Sequence, residues 1–120
     1  MSAQLGKING RVLTITVSGT LTQPELLKSQ SAAGNAIDNI GKVRILLVLE
    51  NFKGTASDGD WGDFSFQMKY DPFIERIAIV SPTEWMDAAL LFTGKGIRPI
   101  QIKHFTPNQM QLAEEWADAE

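Results

Sequence analysis

Residues 43–49 read Val-Arg-Ile-Leu-Leu-Val-Leu, a run in which every side chain but one is apolar. Successive residues of a strand point to opposite faces, so a run that is hydrophobic at both parities describes a strand covered on both sides. Such strands lie inside sheets flanked by helices, the architecture in which parallel strands alternate with helical crossovers.

The flanking sequence supplies that alternation. Leu13, Ile15 and Val17 interleave with Thr14, Thr16 and Ser18, the period of a strand with one buried and one polar face. Asn9-Gly10 just before it is a hairpin turn, which predicts a first strand over 3–8 antiparallel to a second over 11–18. In Thr22-Gln-Pro-Glu25 the threonine can cap a helix, the proline suits its first turn, and Glu25 can reach back as a capping box. Leu26, Leu27, Ala33, Ala36, Ile37 and Ile40 give that helix a core-facing side, and Gly41 stops it. Residues 77–80 read as a second buried strand, and Ile100 and Ile102 alternate with Gln101 and Lys103 as in a strand nearer the edge. Further helices are expected over 58–70, 83–92 and 107–119, the last capped by Thr106 or Asn108. The order predicts an α/β fold: a mostly parallel sheet of about five strands with an N-terminal antiparallel hairpin, and about four helices joined by right-handed crossovers.

A chain of 120 residues, 43 % hydrophobic and 21 % charged, suits one folded domain over 1–120. The absence of cysteine removes disulfides, thiolate metal sites and a cysteine nucleophile, and fits a reducing cytoplasm. The formal charge is −3 and neither sign forms a long block, which argues against a nucleic-acid partner. The opening residues lack a secretory pattern and the apolar runs are too short to span a bilayer. A cytoplasmic protein is expected, at most peripheral to the inner membrane face.

Four segments together carry a family likeness: Val17-Ser-Gly-Thr-Leu-Thr22; the strand 44–50 running into Asn51-Phe-Lys-Gly54; Phe73-Ile-Glu-Arg-Ile-Ala-Ile-Val80; and Glu84-Trp-Met86. They resemble the SpoIIAA-like branch of the STAS superfamily over nearly the whole chain. The resemblance implies a STAS-like fold, no enzymatic activity and no cofactor. It also implies a role between protein interaction and the binding of apolar ligands or membranes. STAS proteins that answer to a kinase carry a phosphorylatable serine in Asp-Ser-Ser/Thr-Gly, where the central strand meets its helix. Here that stretch is Glu50-Asn-Phe-Lys-Gly-Thr-Ala-Ser-Asp58, which keeps hydroxyls at Thr55 and Ser57 without their context. A phosphate would sit well at a helix N-terminus, but helix capping by Ser57 or Asp58 accounts for the same residues.

Other chemistries find little support. Asp58, Asp60 and Asp63 bunch as a calcium loop would, yet the sixth and twelfth positions of an EF-hand hold Asp63 and Lys69 instead of glycine and glutamate. Acidic residues in a first helical turn also favour the helix dipole. His104, the only histidine, shares a strand face with Ile100 and Ile102 and reads as structural. No nucleophile elbow is present, and Gly94-Lys-Gly96 lacks the flanks of a phosphate loop.

What stands out is an excess of large apolar residues on two helices. Trp61, Phe64 and Met68 form one stripe, expected to pack on the sheet, while Phe66 and Tyr70 point nearly the opposite way. On the next helix Trp85, Met86, Ala88, Ala89, Leu90 and Phe92 sweep half the circumference or more, leaving Glu84 and Asp87 as a polar edge. Either the two helices hide this surface against each other, or they enclose a pocket or expose a patch. The favoured reading is a site for an apolar or amphipathic small molecule or a lipid surface. It would be lined by Trp61, Phe64, Phe66, Trp85, Met86 and Leu90, with Phe52 closing over it from a loop. The alternative is a STAS-type regulatory protein-interaction module, in which the same helices or Thr55 and Ser57 meet a regulatory partner or a second copy of the chain. The altered context of Thr55 and Ser57 predicts that neither is phosphorylated in the cell. Phosphopeptide mapping of the native protein checks this, and substantial occupancy of either residue would refute it.

Overall fold

The computed structural model describes residues 3–57, 65–93 and 100–119. The strands are β1 (Ala3–Asn9), β2 (Val12–Leu21), β3 (Val43–Thr55), β4 (Ile74–Val80) and β5 (Gln101–Phe105). They lie in that spatial order, with β1 antiparallel to β2 and every other neighbouring pair parallel. The apolar run is therefore the start of the middle strand. The helices are α1 (Gln23–Ile40), α2 (Ser65–Tyr70), α3 (Met86–Thr93) and α4 (Met110–Asp118), with single 3₁₀ turns leading into β4, α3 and α4. Expectation and structure agree on the order and kind of elements. The helix expected over 58–70 is described only from Ser65, and its first residues lie outside the described ones.

Alternate residues of β3 serve opposite layers. Ile45 and Leu49 join Leu13, Val17, Ile77 and Ile79 beneath Ala33 and Ile37 of α1 and Ala89 of α3. Leu46 and Val48 join Val12, Ala78, Val80 and Phe105 against Ala113 and Ala117 of α4. The local start signals hold in modified form. The Glu25 amide donates to Thr22 Oγ1 at 3.4 Å, but Glu25 Oε2 is buried without a partner rather than closing a box. The full capping box is at Thr106, whose amide donates to Gln109 Oε1 at 3.0 Å.

Arg44, the exception in the apolar run, explains how α4 is seated. It pairs with Glu75 at 2.9 Å and donates through Nη1 to the carbonyls of Asp118 at 3.2 Å and Ala117 at 3.4 Å. Arg76 donates to the carbonyls of Trp116 at 2.7 Å and Ala119 at 2.8 Å, its guanidinium 5.5 Å from the Trp116 ring centre. A helix leaves its last carbonyls unpaired and its C-terminus partly negative. The last turn of α4 has no basic residue of its own, and the sheet supplies two.

α2 is oriented opposite to expectation. Met68, placed on the core stripe, is 82 % exposed, whereas Phe66 packs on the core and Tyr70 is buried. Phe66 and Tyr70 are one helical turn apart, so they share a face, and Met68 between them is turned away. The decisive contact is on α1, where Gly34 leaves a notch for the tyrosine ring. A Cβ on Gly34 would come within 2.8 Å of Tyr70 Oη and 2.9 Å of the ring. Nothing in the helical period of 58–70 distinguishes the two stripes, because the notch belongs to another helix.

This contact predicts a change of sign. Gly34→Ala should destabilise the protein by about 1–2 kcal/mol, overpacking outweighing the better helix propensity of alanine. In a Tyr70→Leu background the same substitution should stabilise by about 0.5–1 kcal/mol, since only propensity remains. Urea melts of the four proteins in this double-mutant cycle check both signs.

Candidate functional site

The face of the sheet beneath α1, α2 and α3 is not evenly covered. Ile15 of β2 and Leu47 of β3 lie opposite each other in the ladder, between buried neighbours Leu13, Val17, Ile45 and Leu49, yet both are only half-buried. A cavity of about 470 Å³, partly open to solvent, stands over them. Ile15, Val17, Leu47 and Leu49 form its floor, and α1 contributes Leu26 and Ala33. Phe66 and Gln67 come from α2, and Ala88, Ala89 and Thr93 from α3. The alanines account for the space, because small side chains facing a flat sheet leave volume that a leucine would fill.

Phe52 and Trp85 complete the wall, meeting edge to face with ring centres 4.9 Å apart. Phe52 was expected in a loop, but β3 continues through it to Thr55 because β2 keeps pairing as far as Leu21. Its direction depends on a bulge. The ladder passes from Ser18↔Glu50 to Gly19↔Phe52, leaving Asn51 as an extra residue with φ 49°. An extra residue reverses which face the following side chains occupy. Leu49 therefore faces the cavity, Glu50 faces away, and Phe52 faces the cavity again. Asparagine tolerates the left-handed backbone that such a bulge needs. At a second irregularity, between Gly19 and Thr20, Gly54 takes φ 104° and lies under the Trp85 ring.

Of the residues expected to line a ligand site, the structure brings Phe52, Phe66 and Trp85 together on this cavity. Met86 and Leu90 are not on its wall. Trp85, Ala88, Ala89 and Thr93 occupy the cavity side of this segment, and Leu90 packs against the neighbouring core. Trp61, Phe64, Asp58, Asp60 and Asp63 lie outside the described residues, as does the Phe92 side chain. Thr55 is the last residue of β3 and lies at the cavity wall, and Ser57 is exposed just beyond it. Leu47, expected to be covered like its neighbours in the run, is instead cavity floor. Sequence reasoning also missed Ile15, Leu26, Ala33 and Gln67. The available signal was alanine at core-facing positions of two helices laid over one sheet.

His104 lies apart from this chemistry. Its Nε2 is 2.8 Å from Ser81 Oγ and 3.1 Å from the Ser81 carbonyl, tying β5 to the end of β4. Among the described residues no helix is long and apolar enough to cross a membrane.

The SpoIIAA-like family profile matches residues 12–118. The chain belongs to the SpoIIAA-like family. Two solved structures share the fold of this SpoIIAA-like chain. An uncharacterised DUF3478-family protein from Shewanella loihica PV-4, described as having a SpoIIAA-like fold, superposes with a TM-score of 0.72 at 18 % identity, covering 96 % of this chain and 91 % of that one. The Bacillus cell fate determinant SpoIIAA, in its phosphorylated form, gives a TM-score of 0.54 at 15 % identity, covering 89 % of this chain and 94 % of its own. No curated protein matches.

Adjacent residues of β3 should respond differently to the same change. Leu46 is packed beneath α4, so Leu46→Gln should cost about 3–5 kcal/mol by burying an unpaired amide and losing its packing. Leu47→Gln turns its amide into the cavity and should cost about 1–2 kcal/mol. Thermal or urea melts of the two variants check the contrast.

Proposed function

We propose that this chain is a non-enzymatic binding domain of the cytoplasm that houses an apolar or amphipathic small molecule between the sheet and α1, α2 and α3. The observation that carries this reading is the half-buried Ile15–Leu47 pair at the middle of the sheet. Side chains there would ordinarily be the best packed in the protein, since interiors keep few voids larger than a water. The volume of about 470 Å³ falls in the usual small-molecule range of roughly 300–1,000 Å³. Aliphatic floor and aromatic rim match the composition of such sites, and no charged or histidine side chain is present on the described wall to do acid–base work.

Membership of the SpoIIAA-like family favours a second reading, a regulatory protein-interaction module. The Bacillus relative is a cell fate determinant studied as a phosphoprotein. Here Thr55 and Ser57 are exposed beside the cavity rim, where a regulatory partner or a second copy could reach them.

The uncharged fluorophore N-phenyl-1-naphthylamine tests the first reading. It should bind with one-to-one stoichiometry, brighten, and raise the melting temperature, as any ligand preferring the native state must. Leu47→Trp with Ala89→Phe fills the cavity and should weaken binding at least about tenfold while the cooperative melt persists. A silent titration of the folded wild-type protein refutes the ligand reading and leaves the interaction module.

A further inference from the structure

Five described residues have a left-handed backbone, and two of them have ordinary duties: Gly10 turns the β1–β2 hairpin and Gly41 ends α1. The other three, Gly19 (φ 61°), Asn51 (φ 49°) and Gly54 (φ 104°), fall in one short stretch of the β2–β3 ladder. Among the described residues Asn51 is the only non-glycine with positive φ. In this stretch Ser18, Gly19, Thr20 and Leu21 are matched to Glu50, Phe52, Gly54 and Thr55, so β3 carries Asn51 and Lys53 with no counterpart on β2. Bulges are rare between parallel strands, and they commonly re-aim a side chain beside a functional site. A non-glycine residue at positive φ is costly, and such residues gather at functional sites.

The number of residues decides what this corner of the cavity is made of. Leu49 and Phe52 line the cavity, and Glu50 between them does not. In an unbulged strand, alternation from Leu49 would bring Asn51 and Lys53 to the cavity side and turn Phe52 to the opposite face. The bulge therefore substitutes an aromatic ring for an amide and an ammonium, and that ring meets Trp85 edge to face. The ladder to β4 ends at Val48↔Val80, so beyond it the register of β3 is set by β2. Asn51's own side chain is exposed and is not part of the wall, so its contribution passes through its backbone.

Resting on the ligand-site reading of the cavity, we infer that Asn51 is a positioning residue that sets the selectivity of this corner. Its left-handed backbone keeps Phe52 on the wall and Lys53 off it. The site thereby presents a ring face to its occupant, and the ligands it favours there are those with apolar surface to lay against Phe52.

The experiment varies the backbone preference at residue 51 and measures N-phenyl-1-naphthylamine binding to the full chain. A second readout, free of ligand, is the NMR signal of the Trp85 indole, assigned by its loss in Trp85→Phe. Asn51→Gly and Asn51→Asp accept the left-handed region, and should bind the dye within about twofold of wild type with the indole signal in place. Asn51→Val resists it, and should bind about fivefold or more weakly, at least as weakly as Phe52→Ala. Both of these variants should move the indole signal, as the ring that meets it leaves. In the Asn51→Val background Phe52→Ala should weaken binding no further, because the ring has already turned away. Deletion of Asn51 gives the strongest contrast. It restores direct alternation from Leu49 through Glu50 to Phe52, and should keep dye binding and the indole signal nearer wild type than Asn51→Val does. A residue needed only for stability would rank deletion as the more damaging change. Cooperative melts establish that each variant is folded, and Asn51→Ala, with the same expected direction, replaces a valine variant that is not. The assignment is overturned if Asn51→Val binds as the wild type does, if Phe52→Ala still weakens binding in its background, or if deletion is the more damaging change. If the dye does not bind the folded wild-type chain, the ligand-site reading fails, and the selectivity assigned to Asn51 fails with it. The indole signal then still decides whether Asn51 places Phe52.

Discussion

The parallel pairing of β2 with β3 is the interaction on which the rest of the structure depends. It runs from Val12↔Arg44 to Leu21↔Thr55, carrying the middle strand well past its apolar run. The first part of this ladder is regular and sets which β3 residues face each helical layer. The last part is interrupted at Asn51 and again beyond Gly19, and those interruptions decide where Phe52, Gly54 and Thr55 point. A single extra residue in a strand exchanges its faces. Without the bulge at Asn51, Phe52 would turn away from Trp85 and the cavity would lose one side of its rim.

The two helical layers then solve different problems. On one side α4 lies directly on Val48, Ala78 and Phe105 through alanines, and its terminal carbonyls are gripped by Arg44 and Arg76 from the strands beneath. Leu46, Val48, Ala78 and Val80 are all buried beneath it. On the other side α1 carries most of the cover, and α2 is tied to it where Tyr70 enters the notch at Gly34. With Ala33 and Ala89 facing the sheet, this layer leaves Ile15 and Leu47 only half-buried. The cavity thus stands within the larger of the two core layers, and the packing against α4 lies on the opposite face of the sheet.

Likeness at 18 % and 15 % identity to the two solved structures means that the fold tolerates replacement of most side chains. What such a fold requires is the pattern of buried and exposed positions, and many sequences meet it. Likeness at this level carries the fold alone, and a function has to be argued from this chain's own side chains.

Fold class, strand order and the central position of residues 43–49 were legible because each rests on local periodicity and turn chemistry, which neighbouring residues determine among themselves. That Phe52, Phe66 and Trp85 share one apolar wall was legible for a related reason, since aromatic excess on a helix or beside a strand can be counted along the chain. The orientation of α2 was not legible. Its two stripes are both apolar, and the choice between Met68 and the Phe66–Tyr70 face was made by Gly34, distant in sequence on another helix. Leu47 and Leu46 likewise look alike in sequence, and only the layer above each one makes the first a cavity floor and the second a packed core residue. Local sequence determines which elements form and which faces are apolar. The spacing between those faces, and hence whether apolar surface becomes core or cavity, is set by contacts between residues far apart in the chain, and tertiary structure alone decides it.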